Sequence, residues 1–379
     1  MSGRRRHALS RLVGVGVLLV AGLASLAGYG LWQLEAPGPH IEDLRLEVRR
    51  GDTLRAVLER LHAQGALRQP RVVEVWARLT APELTIRRGR YLIPGGLSAR
   101  DVLAQLASGR VELESITFIE GSRFADLRRT LASHPEIEDT LSGVTDAEVM
   151  RRLGDLGAAP EGRFFPDTYR FAAGTRDIEL LTLAHARMAS RLAAAWAARD
   201  TNLPLRSADE ALVLASIVEK ETALASERAR IAGVFIERLR RGMRLQSDPT
   251  VIYGLGDRYD GNIRRRDLTT DTPFNTYTRQ GLPPTPIALP GEAALRAVVR
   301  PEVTGELFFV ATGDPDGSHV FSRTYAEHRR AVAEFIARRR AMLAGEASPA
   351  AAVQLPAASE SYPSDRVTPG EPVGAGGAP

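Results

Sequence analysis

The chain has 379 residues, 44% of them hydrophobic and 25% charged, with a formal net charge of +4, a length for two or three domains and the composition of a folded protein. Basic and acidic residues are interleaved rather than gathered in blocks, which argues against nucleic acid as a partner. Cysteine is absent, so disulfides, thiolate nucleophiles and cysteine–zinc sites are excluded together.

At the N-terminus Arg4, Arg5, Arg6 and Arg11 precede an uncharged stretch from Leu12 to Leu31, close to the roughly 20 residues needed to cross a bilayer. Tyr29 and Trp32 lie near its far end, where amphipathic rings favour the membrane interface. The arginines are expected to stay cytoplasmic and the rest of the chain to lie outside. A cleaved signal peptide, with Ser25 and Ala27 before the cut, is the competing reading. The apolar run is longer than the roughly 7 to 15 residues of a signal core and favours a retained anchor.

The proline-bearing segment after the anchor reads as a tether. Leu44, Leu46 and Val48 then alternate as a half-buried strand, and Gly51-Asp52-Thr53 turns the chain into a helix with Leu54, Val57, Leu58 and Leu61 on one face. A second helix has Val72, Val75, Trp76 and Leu79 as its expected stripe, followed by a strand at Gly89 to Ile93 and a helix from Ala99 that Gly109 ends. The opening VRRGDTL resembles the start of LysM modules, which bind N-acetylglucosamine polymers. Glycan contact and a purely architectural spacer both remain open for this unit.

A strand signal runs from Val111 to Glu120 and a helix from Phe124 to Ala132. In Glu161 to Phe171, EGRFFPDTYRF, four aromatics surround Pro166 and Asp167, as in a loop pinned to a core by its rings. A long alanine-rich helix covers Ile178 to Ala198.

Ser207 with Glu210 three residues on reads as a capping box that starts the next helix. That helix ends in ASIVEKET, which holds the only lysine of the chain, Lys220, between Glu219 and Glu221. At about 100° per residue, Leu214, Ile217, Val218 and Glu221 share a stripe while Glu219 turns away. A carboxyl among apolar neighbours loses hydration, which favours its protonated form and suits a proton donor near neutral pH. The plainer reading is that the apolar face has ended and Glu221 is solvated; pattern alone leaves both open.

Ser226 reads as the cap of a helix with Ile231, Val234, Phe235 and Leu239 inward, ended by Gly242. The stretch MRLQSDPTVIYGLGDRYDGN reads as turns, and it lacks the phosphate-loop pattern. FNTYTRQGLPPTPIALPG is a second aromatic and proline-rich loop. Leu307 to Ala311 reads as a strand buried on both faces, and a closing helix follows His319, Phe321 and His328 to about Leu343. The alanine, proline, serine and glycine bias beyond Gly345 reads as a disordered tail.

Metal ligation is not expected, because the seven histidines have no ligand spacing. A nucleophile-elbow serine is also missing. Carboxylate chemistry remains. Glu219 and Glu221 point about 160° apart and cannot flank one bond, so a single working glutamate, as in a lyase whose substrate supplies the attacking hydroxyl, is the economical scheme.

ASIVEKETALASERARIAGVFIERLRRGMRLQSDPTVIYGLG, EGRFFPDTYRF, FNTYTRQGLPPTPIALPG and the HVFSRTYAEH segment together resemble the endolytic murein transglycosylases of the MltG, or YceG-like, family, over about Leu44 to Leu343. The resemblance implies a membrane-anchored lyase that cuts the MurNAc–GlcNAc bond within nascent peptidoglycan strands and leaves a 1,6-anhydro end. Its catalytic acid/base matches Glu221, with Glu219 and Lys220 in support. Glu161, Asp167, Gln246, Asp248, Asn275 and Tyr277 are the candidates for the glycan groove, and no cofactor or metal is expected. Expected partners are glycan strands, the inner membrane and peptidoglycan synthases, with no nucleic acid. The implied fold class is α+β. Its layout is a basic segment 1–11, a transmembrane helix 12–32, a linker 33–43, a LysM-like domain 44–109, a mixed α/β catalytic domain 110–345 and a disordered tail 346–379. The localisation is a single-pass inner-membrane protein with a cytoplasmic N-terminus and a periplasmic catalytic domain. The alternative function is a non-catalytic wall-binding scaffold of the synthesis machinery.

Overall fold

The computed structural model describes the backbone of residues 2–346 and the side chains of 14–342. The tail from 347 onward and the arginine side chains expected to stay cytoplasmic lie outside the described residues. The elements are α1 (Ser2–Glu35), β1 (Leu44–Val48), α2 (Leu54–Ala63), α3 (Pro70–Thr80), β2 (Gly89–Ile93), α4 (Ala99–Ser108), β3 (Leu113–Thr117) and α5 (Phe124–Ala132). They continue with β4 (Ile137–Glu138), α6 (Asp146–Leu153), β5 (Thr168–Ala172), β6 (Thr175–Arg176), α7 (Asp177–Ala197), α8 (Ala208–Glu221), α9 (Arg228–Arg240) and α10 (Asp248–Leu255). After a 3₁₀ turn at Gly256–Arg258 come α11 (Arg265–Thr269), α12 (Glu292–Val299), β7 (Phe308–Ala311), β8 (His319–Ser322) and α13 (Tyr325–Glu346). The fold is mixed, with strands in small two-stranded pieces.

One compact unit comprises residues 1–118, 128–144 and 168–182. β1 and β2 pair antiparallel from Leu44↔Ile93 to Val48↔Gly89, and their alternation sends Leu46, Val48, Tyr91 and Ile93 into a core with Val57, Leu58 and Leu61 of α2 and Val102, Leu103 and Leu106 of α4. The helices begin where short hydroxyl side chains satisfy free N–H groups: Thr53 accepts from Ala56 N and Ser98 from Asp101 N, each at 3.2 Å. α4 ends on Gly109 at φ 63, a left-handed cap that glycine adopts without strain.

The stripe expected on α3 is rotated. Val73 and Ala77 are its buried positions, while Val75 and Leu79 are 58% and 78% exposed. α1 is apolar and long enough from Gly14 to Glu35 to cross a membrane, and its lipid-compatible surface is bare, with Leu18 73% exposed. The helix runs past the expected end, and Leu34 joins the core of this unit. β3 pairs antiparallel with β5, so the second half of EGRFFPDTYRF is a strand rather than a loop; Tyr169 and Phe171 alternate inward on it, each 4% exposed.

The other unit comprises residues 119–127, 145–167 and the chain from 183 onward. Its core is built on α8, α9 and α12, with Leu214, Ile217 and Val218 against Ile231, Phe235, Leu295 and Val298. Every residue of α8 from Ala211 to Val218 is buried, so this helix is central rather than amphipathic, and Ile217→Ala is expected to cost roughly 2–5 kcal/mol. Ser207 caps α8 by accepting from Glu210 N at 3.2 Å, but the Glu210 carboxylate accepts from Arg206 N, so only half of the expected capping box forms.

The other departures in this unit are local. Glu227, not Ser226, occupies the cap position of α9. β7 is half-buried, not buried on both faces, because among the described residues it pairs only with β8 in a two-stranded hairpin. The stretch read as turns contains α10, begun by Ser247, Asp248 and Pro249, since proline fits a first helical turn whose N–H groups lack partners anyway.

Candidate active site

α8 delivers three consecutive polar side chains at its C-terminal end. Glu219 accepts from Gly291 N at 2.9 Å and lies 3.4 Å from Arg228 Nη2, with its side chain 5% exposed; burial pushes its pKa up. Lys220 Nζ donates to Gly121 O at 3.0 Å. Both therefore hold the segments around residues 121 and 291, which also bond each other through Gly121 N and Leu289 O at 2.8 Å.

Glu221 is the last helical residue, and it points elsewhere. Its Oε1 accepts a hydrogen bond of 2.5 Å from Ser247 Oγ, and the residue keeps partial exposure. Loss of hydration raises its pKa to about 7; the Asp248 charge pushes the same way, while the Ser247 hydrogen bond and the Arg238 charge oppose it. A carboxyl balanced there exchanges a proton readily near neutral pH.

The serine is fixed from several sides. Gln246 has φ 50, the one non-glycine positive φ among the described residues, a conformation costing about 1 kcal/mol that the surroundings must enforce. Its N–H donates to Thr276 O at 3.2 Å, and Ser247 N donates to Thr276 Oγ1 at 3.0 Å. Thr250 Oγ1 lies 2.6 Å from Ser247 O and 2.8 Å from Thr276 Oγ1. Tyr277 OH donates to Asp248 Oδ1 at 2.5 Å, and burial raises the Asp248 pKa. Behind this network Arg238 is 6% exposed and donates to Leu307 O and Leu245 O at 2.7 and 2.5 Å.

Of the residues singled out from sequence, Gln246, Asp248 and Tyr277 thus share one network with Glu221. Asn275 is placed differently. It is 1% exposed, and its amide donates to Asp267 O, Leu268 O and Thr270 O at 3.1, 3.1 and 2.7 Å while its Oδ1 accepts from Tyr277 N. A side chain so engaged supports the loop, its amide donors being committed to backbone carbonyls. Asp167 is exposed and ion-paired with Arg187. Glu161 is 6% exposed and sits in a second polar knot, accepting from Phe124 N at 2.9 Å and Tyr253 OH at 3.2 Å, with burial raising its pKa to about 7. Among the described residues no cluster of three or more His, Asp or Glu is arranged to hold a metal.

Ser247, Thr276, Thr250 and Arg238 escaped the sequence reading. The first had a signal, because Ser-Asp-Pro is a helix start. Arg238 had another: it continues the inward spacing of Ile231, Val234 and Phe235, and a charge on a buried stripe marks a polar site.

Residues 46–334 match the YceG-like family, and the chain belongs to that family. It is 24% identical over 310 residues to the endolytic murein transglycosylase of Bacillus subtilis, covering 77% of this chain and 85% of that protein. It is 31% identical over 215 residues to the endolytic murein transglycosylase of Streptococcus pneumoniae, covering 55% of this chain and 37% of that one. A solved YceG-like protein from Listeria monocytogenes superimposes with a TM-score of 0.48 at 24% identity, over 76% of this chain and 99% of that chain.

Proposed function

We propose that this protein is a membrane-anchored murein transglycosylase that cuts peptidoglycan strands internally, with Glu221 as its single acid/base. The observation that carries the reading is the Glu221 carboxyl itself: held at a pKa of about 7 by loss of hydration and hydrogen-bonded on one oxygen by Ser247. Protonated Glu221 gives its proton to the glycosidic oxygen as the bond from MurNAc C1 breaks, and the GlcNAc leaves as an alcohol. The muramic 6-hydroxyl then attacks C1 and passes its proton to the Glu221 carboxylate, which closes a 1,6-anhydro ring, consumes no water and restores the acid. One carboxyl suffices because the attacking oxygen belongs to the substrate, unlike the paired carboxylates of most glycosidases.

A hollow of about 270 Å³ lined by Thr276, Arg279, Leu282 and Pro283, among others, adjoins the network that fixes Ser247; with Gln246, Asp248 and Tyr277 it forms the proposed strand-binding surface. The apolar helix α1 serves as a single-pass anchor with a cytoplasmic N-terminus and a periplasmic catalytic unit, in reach of the peptidoglycan synthases. Incubation of the detergent-solubilised protein with uncrosslinked glycan strands tests the reaction by product mass. Anhydro-ended fragments from the wild type and none from Glu221→Gln are expected. Equal cleavage by both would remove Glu221, reducing ends carrying an added water would replace the lyase by a hydrolase, and absence of cleavage would leave the scaffold reading.

A further inference from the structure

We infer that the far end of α10 carries a second substrate subsite, which takes a carboxylate-bearing end of the peptide stem attached to the glycan strand. The inference rests on the reading of the protein as a murein-cutting enzyme. A cavity of about 240 Å³ opens there, floored by Val251 and Leu255 of α10 and rimmed by Arg258, Asn262, Asp267 and Thr272. That is room for an amino-acid end.

The chemistry of the rim is selective. Arg264, also on the rim, is tied to Asp260 at 2.5 Å, and Arg266 lies 3.7 Å from Asp267. Arg258 is exposed and has no hydrogen-bonding or ion-pairing partner among the described residues. One uncommitted guanidinium matches a single carboxylate, which it can hold with two parallel hydrogen bonds. The Asp267 carboxylate on the rim disfavours a multiply charged phosphate. Thr272 on the rim has a buried hydroxyl oxygen with no hydrogen-bond partner among the described residues. The apolar floor suits a methyl or methylene side chain.

The cavity is also in register with the site of cleavage. α10 starts beside Ser247 and Asp248 and has eight residues, so at 1.5 Å per residue the cavity floor runs from about 6 Å beyond Ser247 at Val251 to about 12 Å at Leu255. An extended peptide covers about 3.3–3.6 Å per residue, so roughly three residues of a stem span that distance from a muramic acid held at Glu221. The rim and the reacting end share a support as well. The Asn275 amide holds Asp267 O and Thr270 O, and the next residue, Thr276, holds Ser247.

Binding can be measured without cleavage in the full-length Glu221→Gln protein, using three probes: glycan strands with intact stems, the same strands stripped of stems by an amidase, and strands whose stem carboxylates have been converted to amides. Intact strands are expected to bind about tenfold more tightly than either of the others, one charge-assisted contact being of that order. Adding Arg258→Glu, an exposed substitution, should weaken binding of intact strands about tenfold more than of stripped ones, and Arg258→Lys should restore part of the difference. Equal binding of intact and amidated strands, or an intact-strand preference that survives Arg258→Glu, overturns the subsite. The reaction itself stands or falls separately, on whether wild-type protein yields anhydro-ended fragments.

Discussion

Glu161 and Glu221 occupy the same unit, and burial pushes both carboxyls to a pKa of about 7. Their surroundings differ. Glu161 is 6% exposed, and its two oxygens accept from Phe124 N and Tyr253 OH, with the Tyr253 ring 4.7 Å from that of Phe274 and Arg123 5.2 Å over its face. Glu221 offers Oε1 to Ser247 alone and has no protein partner on Oε2 among the described residues. A raised pKa therefore accompanies both a fully engaged carboxyl and one with an uncommitted oxygen, and it is the uncommitted oxygen that separates the two.

The largest expected effect tests that separation directly. Glu221→Gln keeps the volume and removes the transferable proton, so cleavage should fall by at least about a thousandfold, since both proton transfers pass through this group. Glu161→Gln should lower the rate by less than about tenfold. Comparable losses in both, with both proteins folded by circular dichroism, would break the contrast.

Stability reads the raised pKa itself, which the two carboxyls share. A carboxyl whose folded pKa lies above its unfolded value near 4.5 favours folding below that pH and loses the contribution as pH rises to about 7, beyond which the curve flattens. For Glu161 the shift corresponds to about 3 kcal/mol. Denaturant titrations between pH 4.5 and 8 should show stability falling over this window in the wild type and a shallower fall in Glu161→Gln. An unchanged slope would mean that Glu161 is ionised in the folded protein throughout.

The contrast between these carboxyls was only partly legible in the sequence. Local rules served where a few residues decide an outcome: Gly51-Asp52-Thr53 as the turn into α2, Gly109 as a left-handed stop, Leu46 and Val48 as an alternating strand face. They failed on α3, where Ala77 rather than Val75 or Leu79 faces the core, because a small side chain that lets another element approach weighs little in an apolar count. The choice of Glu221 over Glu219 by periodicity rested on a pattern that α8 does not have. The helix is buried all round, and Glu219 is desolvated too. What distinguishes them lies in the pairing of Glu221 with Ser247 and of Glu219 with Gly291 and Arg228. These contacts join distant parts of the chain, which no spacing within one helix encodes.

Ser247 sharpens the account of Glu221. Its hydroxyl stabilises the carboxylate form, so Ser247→Ala should raise the pKa of the group further, by about one unit for one lost hydrogen bond. The alkaline limb of the rate–pH profile, where the acid form is used up, should move to higher pH while the maximal rate falls about tenfold through lost orientation. Ser247→Thr, which keeps a hydroxyl, should return the limb toward its original position. A profile unmoved by Ser247→Ala would show that the serine does not touch the ionising group in solution.

The smallest expected effect concerns the backbone that presents this serine. Gln246 is exposed at φ 50, so Gln246→Gly relieves steric strain of about 1 kcal/mol and at the same time adds about as much unfolded-chain entropy. The substitution should leave the melting temperature nearly unchanged, and cleavage should persist, because the Gln246 and Ser247 N–H bonds to Thr276 involve no glutamine side-chain atom. Gln246→Val has no such relief: a β-branched residue in the left-handed region is strained, and a loss of about 1–2 kcal/mol is expected. Were both variants to lose activity without losing stability, the glutamine side chain would itself contact the strand, and the backbone would not be the reason for this residue. A loss confined to the valine variant, in stability and rate together, would place the requirement in the left-handed turn that brings Ser247 to Glu221.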